Sequence, residues 1–305
     1  MPSNRQWTAL GVPIDSVAAP AGGPLFGTEL APQAMRDLGL VHRLDAADAG
    51  DLSVRIVGPD RDARSGIVGW PSVGITVSEI RAAVAEMMAA GQRPLLLGGC
   101  CTVLMGAAAG ARDALGRVGL AYADGHVDVY DHRTSPTGEA ADMPVAGLLG
   151  FGWPELITTM GPMPVIDGGD IVVLGARDED EAADIGDLPQ RLGLTVYGPR
   201  DISADAGALG QATYERFGTA GIPYWMHLDV DVLDEKAFPA TDYLMPGGIE
   251  MAQLADLLRP LGQDAALIGV SIGCYNPQKD PDGKCGAALA DLLVDVLTAK
   301  QQTAD

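Results

Sequence analysis

The stretch PLLLGGCCTVLMG at residues 94–106 is typical of a buried strand, a Gly-Gly turn and the first turn of a helix. The uncharged run continues to residue 111 and approaches the length of a membrane span. Gly98 and Gly99 interrupt it, and this favours a buried strand followed by a buried helix. In α/β proteins such a junction, at the carboxyl end of a strand, is where ligands bind. Cys100 and Cys101 therefore lie at a candidate site.

Further apolar runs along the chain alternate with stretches of helix length. The runs are WTALGVPI, SVRIVG, VGLAYAD, DIVVLGAR, LTVYG, PYWMHLDVDV and ALIGVSIG. Near-continuous apolar strands between helices indicate a parallel sheet that is covered on both faces. We predict strands near 94–98, 118–123, 171–175 and 224–229. No repeat or linker interrupts the pattern, so residues 1–305 are predicted to form a single α/β domain.

Charge and composition exclude several classes of partner. The 305 residues carry a formal charge of −21, and 47% of them are hydrophobic. This charge argues against nucleic acid and against an anionic membrane surface, because both need clustered Lys and Arg. The first residues lack the layout of a signal peptide, and four cysteines do not make a disulfide framework. We therefore expect a cytoplasmic protein that binds a small molecule.

Two of the predicted strands end in acid-rich clusters. The first cluster contains Asp124, His126 and Asp128, and the second contains Asp229, Asp231 and Asp234. Acids at strand ends often only cap a following helix or shape a loop. However, alternate residues of an extended strand point the same way, and converging carboxylates are costly to bury without cations. The paired clusters favour divalent metal, and carboxylates with an imidazole suit Mn²⁺ best.

These motifs resemble a known family in their order and spacing. The Gly-Gly turn, DGHVD at 124–128 and LDVDVLD at 228–234 are similar to the three metal-binding motifs of the ureohydrolases, which include arginase, agmatinase and formiminoglutamase. GVPID, APQAMRDLGL, PATDYLMPGG and YNPQKDPDG match other segments of the family. The resemblance implies a three-layer α/β/α sandwich with a mostly parallel central sheet, assembled as a homo-oligomer (trimer or hexamer). It also implies two manganese ions.

The resemblance assigns a ligand set to the two metals. One ion is held by Asp124, Asp128, Asp229 and residue 101, and the other by His126, Asp124, Asp229 and Asp231. The family normally has His at position 101, where this chain has Cys101. A thiolate favours Zn²⁺, Fe²⁺ or Co²⁺ over Mn²⁺ relative to the parent site. Alternatively, Cys101 is a small buried residue and this metal is weakly held or absent.

The residues that would bind the substrate also differ from those that the family has at the same positions. Cys274, in SIGCYNP, stands where the family places a Glu that pairs with a guanidinium. Tyr130 and Thr137 replace an Asn and a Ser that hold an amino-acid carboxylate, and Ala141 replaces a His implicated in proton transfer. Glu139 adds acid to this substrate loop, and Asp180 matches an Asp that holds a substrate amine or is a solvated acid at a helix start. His227 is predicted to point to the metal side, as a core residue or as support for a ligand.

The sequence thus predicts a metal-dependent hydrolase of a non-peptide C–N bond, in a guanidino, N-hydroxyguanidino, amidino or formimino group. The resemblance implies attack by a metal-bridging hydroxide, with Asp128 or Asp231 in proton transfer. An efficient arginase is not expected. One alternative is a catalytically silent ligand-binding or regulatory protein with a degraded metal site. Another is thiol chemistry between Cys101 and Cys274.

Overall fold

A computed structural model describes residues 6–16, 27–54, 60–178 and 186–298. Within these ranges the strands form one sheet in which every neighbouring pair is parallel. The strands are β1 (Trp7–Val12), β2 (Ala47–Asp51), β3 (Arg93–Gly98), β4 (Gly119–Ala123), β5 (Ile171–Leu174), β6 (Thr195–Tyr197), β7 (Tyr224–Asp229) and β8 (Leu267–Gly273). Their order across the sheet is β2-β1-β3-β8-β7-β4-β5-β6.

Helices cover both faces of the sheet. They are α1 (Ala31–Asp37), α2 (Leu40–Arg43), α3 (Ser72–Ala89), α4 (Val103–Leu115), α5 (Pro144–Leu148), α6 (Pro154–Thr159), α7 (Leu188–Arg191), α8 (Pro199–Ala204), α9 (Ala206–Ala220), α10 (Met251–Gly262) and α11 (Lys284–Leu297). Helices α3 to α6 pack on one face, and α1, α2 and α8 to α11 pack on the other. The predicted α/β sandwich with a parallel central sheet is confirmed.

Alternation along the central strands creates the two cores. Leu96 and Tyr122 face the layer of α3 and α4, whereas Leu97 and Ala123 face the layer of α10 and α11. All four side chains are fully or almost fully buried. Because both faces of these strands are buried, neither face needs polar residues. This explains why these segments are continuous hydrophobic runs.

The predicted strands agree with the structure at four interior positions of the sheet and differ at one edge. Strands β3, β4, β5 and β7 begin and end within a residue of the prediction. The run SVRIVG at 53–58 is wrong as a strand where it is described, because Ser53 and Val54 follow β2 and adopt no strand. Residues 55–59 lie outside the described part. The edge strand β2 is instead the exposed, acidic ADAGD, where Arg36 binds Asp48 and Asp51.

The Gly-Gly turn after β3 exists because the backbone of neighbouring segments comes very close. A Cβ on Gly99 would lie 1.6 Å from the carbonyl oxygen of Ile14. The Gly99 carbonyl accepts a hydrogen bond of 2.6 Å from the backbone N–H of Cys274. A side chain at position 99 would therefore push the end of β3 away from the segment that follows β1. Among the described residues, no helix has the length and apolar character needed to cross a bilayer.

Candidate metal centre

Four adjacent central strands, β3, β8, β7 and β4, end at one place. Cys101 follows β3, Cys274 follows β8, Asp229 ends β7 and Asp124 follows β4. Because neighbouring parallel strands end at the same edge, residues far apart in sequence meet there. The structure therefore brings together the metal-ligand candidates from both acidic clusters.

Cys101 lies at the centre of this meeting point and is almost completely buried. Its Sγ is 2.5 Å from Asp229 Oδ2, 3.6 Å from Asp124 Oδ2 and 3.7 Å from Cys274 Sγ. Cys100 points away, into the core beside α3 and α4, and its Sγ contacts the Ser16 hydroxyl at 3.2 Å. The two adjacent cysteines thus have different roles: Cys101 faces the carboxylates, and Cys100 packs in the core.

The second half of the cluster is built around His126. Its Nδ1 lies 3.0 Å from Asp231 Oδ2 and 3.5 Å from Asp124 Oδ1. The backbone N–H of Gly125 donates to Asp231 Oδ1 at 2.9 Å, and that of Asp231 donates to Asp229 Oδ1 at 2.8 Å. These backbone donors fix the carboxylates but leave other oxygen lone pairs available to a cation.

Asp128 joins the cluster from an unusual backbone conformation. Its φ is 55°, in the left-handed region that non-glycine residues seldom adopt, and Cys274 has φ of 63°. The Tyr122 hydroxyl donates a hydrogen bond to Asp128 Oδ2. One ligand atom each from Asp124, His126 and Asp128 lies within 4.8 Å of the others. Strained backbone at both positions is consistent with side chains aimed for function rather than for packing.

The electrostatics of the cluster call for cations. Burial, with Asp231 nearby, raises the pKa of Asp124 to about 6. Burial and the neighbouring carboxylates raise the pKa of Asp128 and of Asp229 well above the ordinary range. For Asp231 burial acts in the same direction, but the charge and hydrogen bond of His126 prevail and lower its pKa.

His126 shows the converse effect, because Asp231 and Asp124 outweigh burial and raise its pKa well above the ordinary value. One imidazolium offsets only one of four buried carboxylates. Among the described residues, four groups of three residues each offer ligand atoms that lie within 4.8 Å of one another: Cys101, Asp124 and His227; Cys101, Asp229 and Cys274; Asp124, His126 and Asp128; and Asp124, Asp229 and Asp231. Divalent cations therefore fit this donor set.

Both thiols at the site are neutral without a metal. Burial raises the pKa of Cys101 well above its ordinary value, and the contact with Cys274 adds to the shift. The hydrogen bond from Cys101 favours the Cys274 thiolate, but burial and the nearby Asp229 and Asp231 prevail and raise its pKa. Position 274 thus carries no negative charge.

Comparison with known proteins identifies the lineage. The sequence profile of the arginase family matches residues 5–299. The chain belongs to the arginase family. Arginase of Brevibacillus brevis is 27% identical over 97% of this chain and 99% of its own length. Arginase-1 of Rattus norvegicus is 29% identical, with 87% and 85% covered. The structure of the Bacillus caldovelox arginase superimposes with a TM-score of 0.88 at 25% identity, covering 98% of this chain and 100% of that one.

The segment predicted to be the substrate loop is tied down by hydrogen bonds within itself. The Thr137 and Ser135 hydroxyls both donate to Asp142 Oδ2, at 2.6 and 2.7 Å. Thr137 Oγ1 also accepts from the backbone N–H of Glu139 at 3.0 Å. The Thr137 hydroxyl is thus already engaged inside the loop. Tyr130 and Glu139 are half-buried, and Asp180 lies outside the described residues.

Two residues near the site were not among the sequence-based candidates. The ring of Tyr243 meets that of His126 edge to face, with centroids 4.9 Å apart, and Tyr243 is 47% exposed. Asp178 is buried and accepts a hydrogen bond from the backbone N–H of Val127 at 3.2 Å. Asp178 lies two residues before Asp180 in the same motif, so the family pattern could have indicated it. Nothing in the local sequence distinguishes Tyr243.

Proposed function

We propose that this protein is a metal-dependent hydrolase that cleaves a non-peptide C–N bond in a small molecule. The bond lies in a guanidino, N-hydroxyguanidino, amidino or formimino group. The observation that carries the proposal is the convergence of Asp124, Asp128, Asp229 and Asp231 at the ends of neighbouring strands, with one imidazolium to offset them. Membership of the arginase family supports the reaction class, because its arginase, formiminoglutamase and agmatinase members hydrolyse such bonds.

The residues that would hold the metals are those named from the sequence. Cys101, Asp124, Asp128 and Asp229 would hold one ion, and His126, Asp124, Asp229 and Asp231 the other. A pair of divalent cations supplies Lewis acidity and lowers the pKa of water, so that a nucleophile is available at neutral pH. Manganese is the ion typical of the family, and Zn²⁺, Fe²⁺ and Co²⁺ are the candidates that Cys101 adds.

Side chains of the protein would carry out proton transfer and position the substrate. Asp128 or Asp231 would take part in proton transfer, and this is supported by environments that shift their pKa values in opposite directions, as is common for acid–base pairs. Tyr122 orients Asp128 through its hydroxyl. Tyr243, Tyr130 and the substrate loop would exclude water and position the small molecule.

We further propose that arginine and agmatine are poor substrates. A guanidinium ion needs an anionic partner, and Cys274 offers a neutral thiol at that position. Ala141 cannot transfer a proton. A substrate whose C–N group is neutral or weakly basic suits this site better.

The test is a hydrolysis assay on purified, metal-loaded protein. L-arginine, agmatine, an N-hydroxyguanidine and a formimino amino acid are each supplied with Mn²⁺, Zn²⁺ or Co²⁺, and the released small product is quantified. The Asp231→Asn variant serves as the inactive control. Turnover of the less basic N-hydroxyguanidine or of the formimino compound supports the proposal. Efficient turnover of arginine or agmatine would contradict the proposed substrate preference, and metal binding without any turnover would contradict the proposed hydrolase.

A silent ligand-binding protein is the second candidate, and it is favoured by Cys101, Cys274 and Ala141 together. It predicts that no ion among Mn²⁺, Zn²⁺, Fe²⁺ and Co²⁺ binds at the cluster.

We also propose that the protein forms a homo-oligomer, a trimer or hexamer, and that it is cytoplasmic. Light scattering after size-exclusion chromatography measures the assembly.

A further inference from the structure

His227 is a fully buried histidine that faces the metal cluster without belonging to the family's ligand set as assigned above. It lies in β7, two residues before Asp229, so its side chain points to the same side of the sheet. Its Nε2 is 3.2 Å from Cys101 Sγ. The imidazole missing at position 101 is thus present on β7, across the intervening strand β8.

The orientation of this ring is fixed on its far side. Nδ1 of His227 lies 2.7 Å from the Ser271 hydroxyl, which also accepts a hydrogen bond of 2.9 Å from the indole N–H of Trp225. The ring stacks on Tyr122, with centroids 5.2 Å apart and planes 15° from parallel. A hydroxyl or carbonyl on the second nitrogen is the usual way in which proteins orient a metal-binding histidine.

The space in which Cys101 and His227 meet depends on a glycine of the intervening strand. Strand β8 lies between β3 and β7, and Gly273 is its last residue. A Cβ there would lie 3.2 Å from Cys101 Sγ and 3.5 Å from His227 Cε1. The glycine lets the two ligand atoms approach each other across a strand.

Cys101, Asp124 and His227 offer three ligand atoms that all lie within 4.8 Å of one another, and all three residues are buried. We propose that Cys101 and His227, with Asp124, form a thiolate–imidazole–carboxylate site for a zinc-type ion at the first metal position. The site rests on the metal dependence proposed above. His227 then supplies, from β7, the nitrogen that the family takes from position 101.

The distances agree with this assignment. With Zn–S near 2.3 Å and Zn–N or Zn–O near 2.0–2.1 Å, the sulfur bound to a tetrahedral zinc ion lies about 3.5–3.6 Å from a nitrogen or oxygen ligand. Cys101 Sγ is 3.6 Å from Asp124 Oδ2 and 3.2 Å from His227 Nε2. Ligation therefore needs a shift of only a few tenths of an ångström at the imidazole. A sulfur–nitrogen pair favours Zn²⁺ or Co²⁺ over Mn²⁺.

The first measurement uses X-ray absorption at the zinc edge on wild-type protein loaded with one equivalent of Zn²⁺. The His126→Ala variant is measured in parallel, because it removes the imidazole of the second position. We expect a zinc–sulfur shell in both samples and an imidazole signal that persists in the variant. A first shell of oxygen alone, or loss of the imidazole signal in the variant, would overturn the inference.

The second measurement is metal affinity. Removing a residue that only hydrogen-bonds to a metal ligand typically weakens metal binding by 10- to 100-fold. We expect His227→Gln to weaken Zn²⁺ binding by more than about 100-fold and to shift the visible bands of the Co²⁺ protein. Cys101→Ser should abolish the sulfur-to-cobalt charge-transfer absorption. His42→Gln, an exposed histidine on α2, is the matched control.

The outcomes separate this inference from the proposed function. Tight metal binding that His227→Gln leaves unchanged refutes the His227 ligand, while metal-dependent hydrolysis stands. Failure of the wild-type protein to bind any divalent metal refutes both. Circular dichroism of the metal-free variants checks folding, and the absorption data on wild-type protein decide the matter if a variant does not fold.

Discussion

The sulfur atoms of Cys101 and Cys274 lie 3.7 Å apart, although 173 residues separate them in the chain. Raised pKa values keep both thiols protonated at neutral pH, and a protonated thiol is a poor nucleophile. We therefore expect both to react slowly with a disulfide reagent in the folded, metal-free protein. In denaturant all four thiols should react quickly. Fast reaction of this pair in the folded state would instead favour thiol chemistry as the function.

Metal binding at the second metal position should depend on His126 and Asp231, whose side chains pair with each other there. We expect His126→Ala and Asp231→Ala to lose the ion held there, because His126 and Asp231 are two of its proposed ligands. Elemental analysis after gel filtration gives the metal content per chain. His42→Ala should keep the wild-type content. Equal content in all four proteins would contradict the assigned ligands.

Replacing the thiol by the family's residue should change metal preference. Cys101→His removes the sulfur donor, so the ratio of Mn²⁺ affinity to Zn²⁺ affinity should rise by about an order of magnitude or more. Competition titrations with a chelating dye measure both affinities. Cys100→Ser is the matched control, since Cys100 packs in the core. Unchanged selectivity would show that Cys101 only fills space.

A carboxylate at position 274 should restore recognition of a guanidinium. A hydrogen bond to a charged group contributes about 1.5–3 kcal/mol, so Cys274→Glu should raise kcat/KM for agmatine or arginine by roughly 10- to 100-fold. Cys274→Gln has nearly the same shape without the charge and is the control. A similar gain in both variants would attribute the effect to shape. No gain in either would remove position 274 from substrate recognition.

Metal affinity should rise with pH. The pKa of Asp124 is about 6 in the metal-free protein, so below that pH the ion must displace a proton. The proton on Asp124 alone should make affinity rise by up to about tenfold per pH unit below roughly pH 6, and the raised pKa values of Asp128 and Asp229 should make the rise steeper. The raised pKa of Cys101 extends the rise to higher pH if the thiolate binds. Calorimetry in buffers of different ionisation enthalpy counts the released protons, and an affinity independent of pH would contradict this.

The sequence predicts the central part of the fold well because its signals are local. Hydrophobic runs such as 94–98 and 224–229 are long and flanked by turn residues, so their strands agree with the structure. The edge strand β2 has no such signal, because its exposed acidic residues owe their conformation to pairing with β1 and to Arg36. The run SVRIVG, which is wrongly predicted as a strand where it is described, is more apolar than the edge strand β2 that forms instead.

The candidate site is less predictable, because it depends on contacts between distant segments. The alternation of residues in β7 indicates that His227 and Asp229 share a face. It does not indicate that Cys101 Sγ lies against the His227 ring, since this follows from strand order and from Gly273. In the same way, Tyr243 reaches His126 through a loop with no periodic pattern. The assignments of individual ligands, and the single domain, stay predictions.

The convergence of four strand ends has a topological consequence. Cys101 is separated by 23 residues from Asp124, by 128 from Asp229 and by 173 from Cys274. An ion held by Cys101, Asp124 and Asp229 closes two nested loops of the chain, much as a pair of disulfides would, but reversibly and without oxidation. Such cross-links act on the entropy of the unfolded chain, and the entropy of loop closure grows with loop length. The melting temperature of this protein should therefore report the concentration of free metal around it.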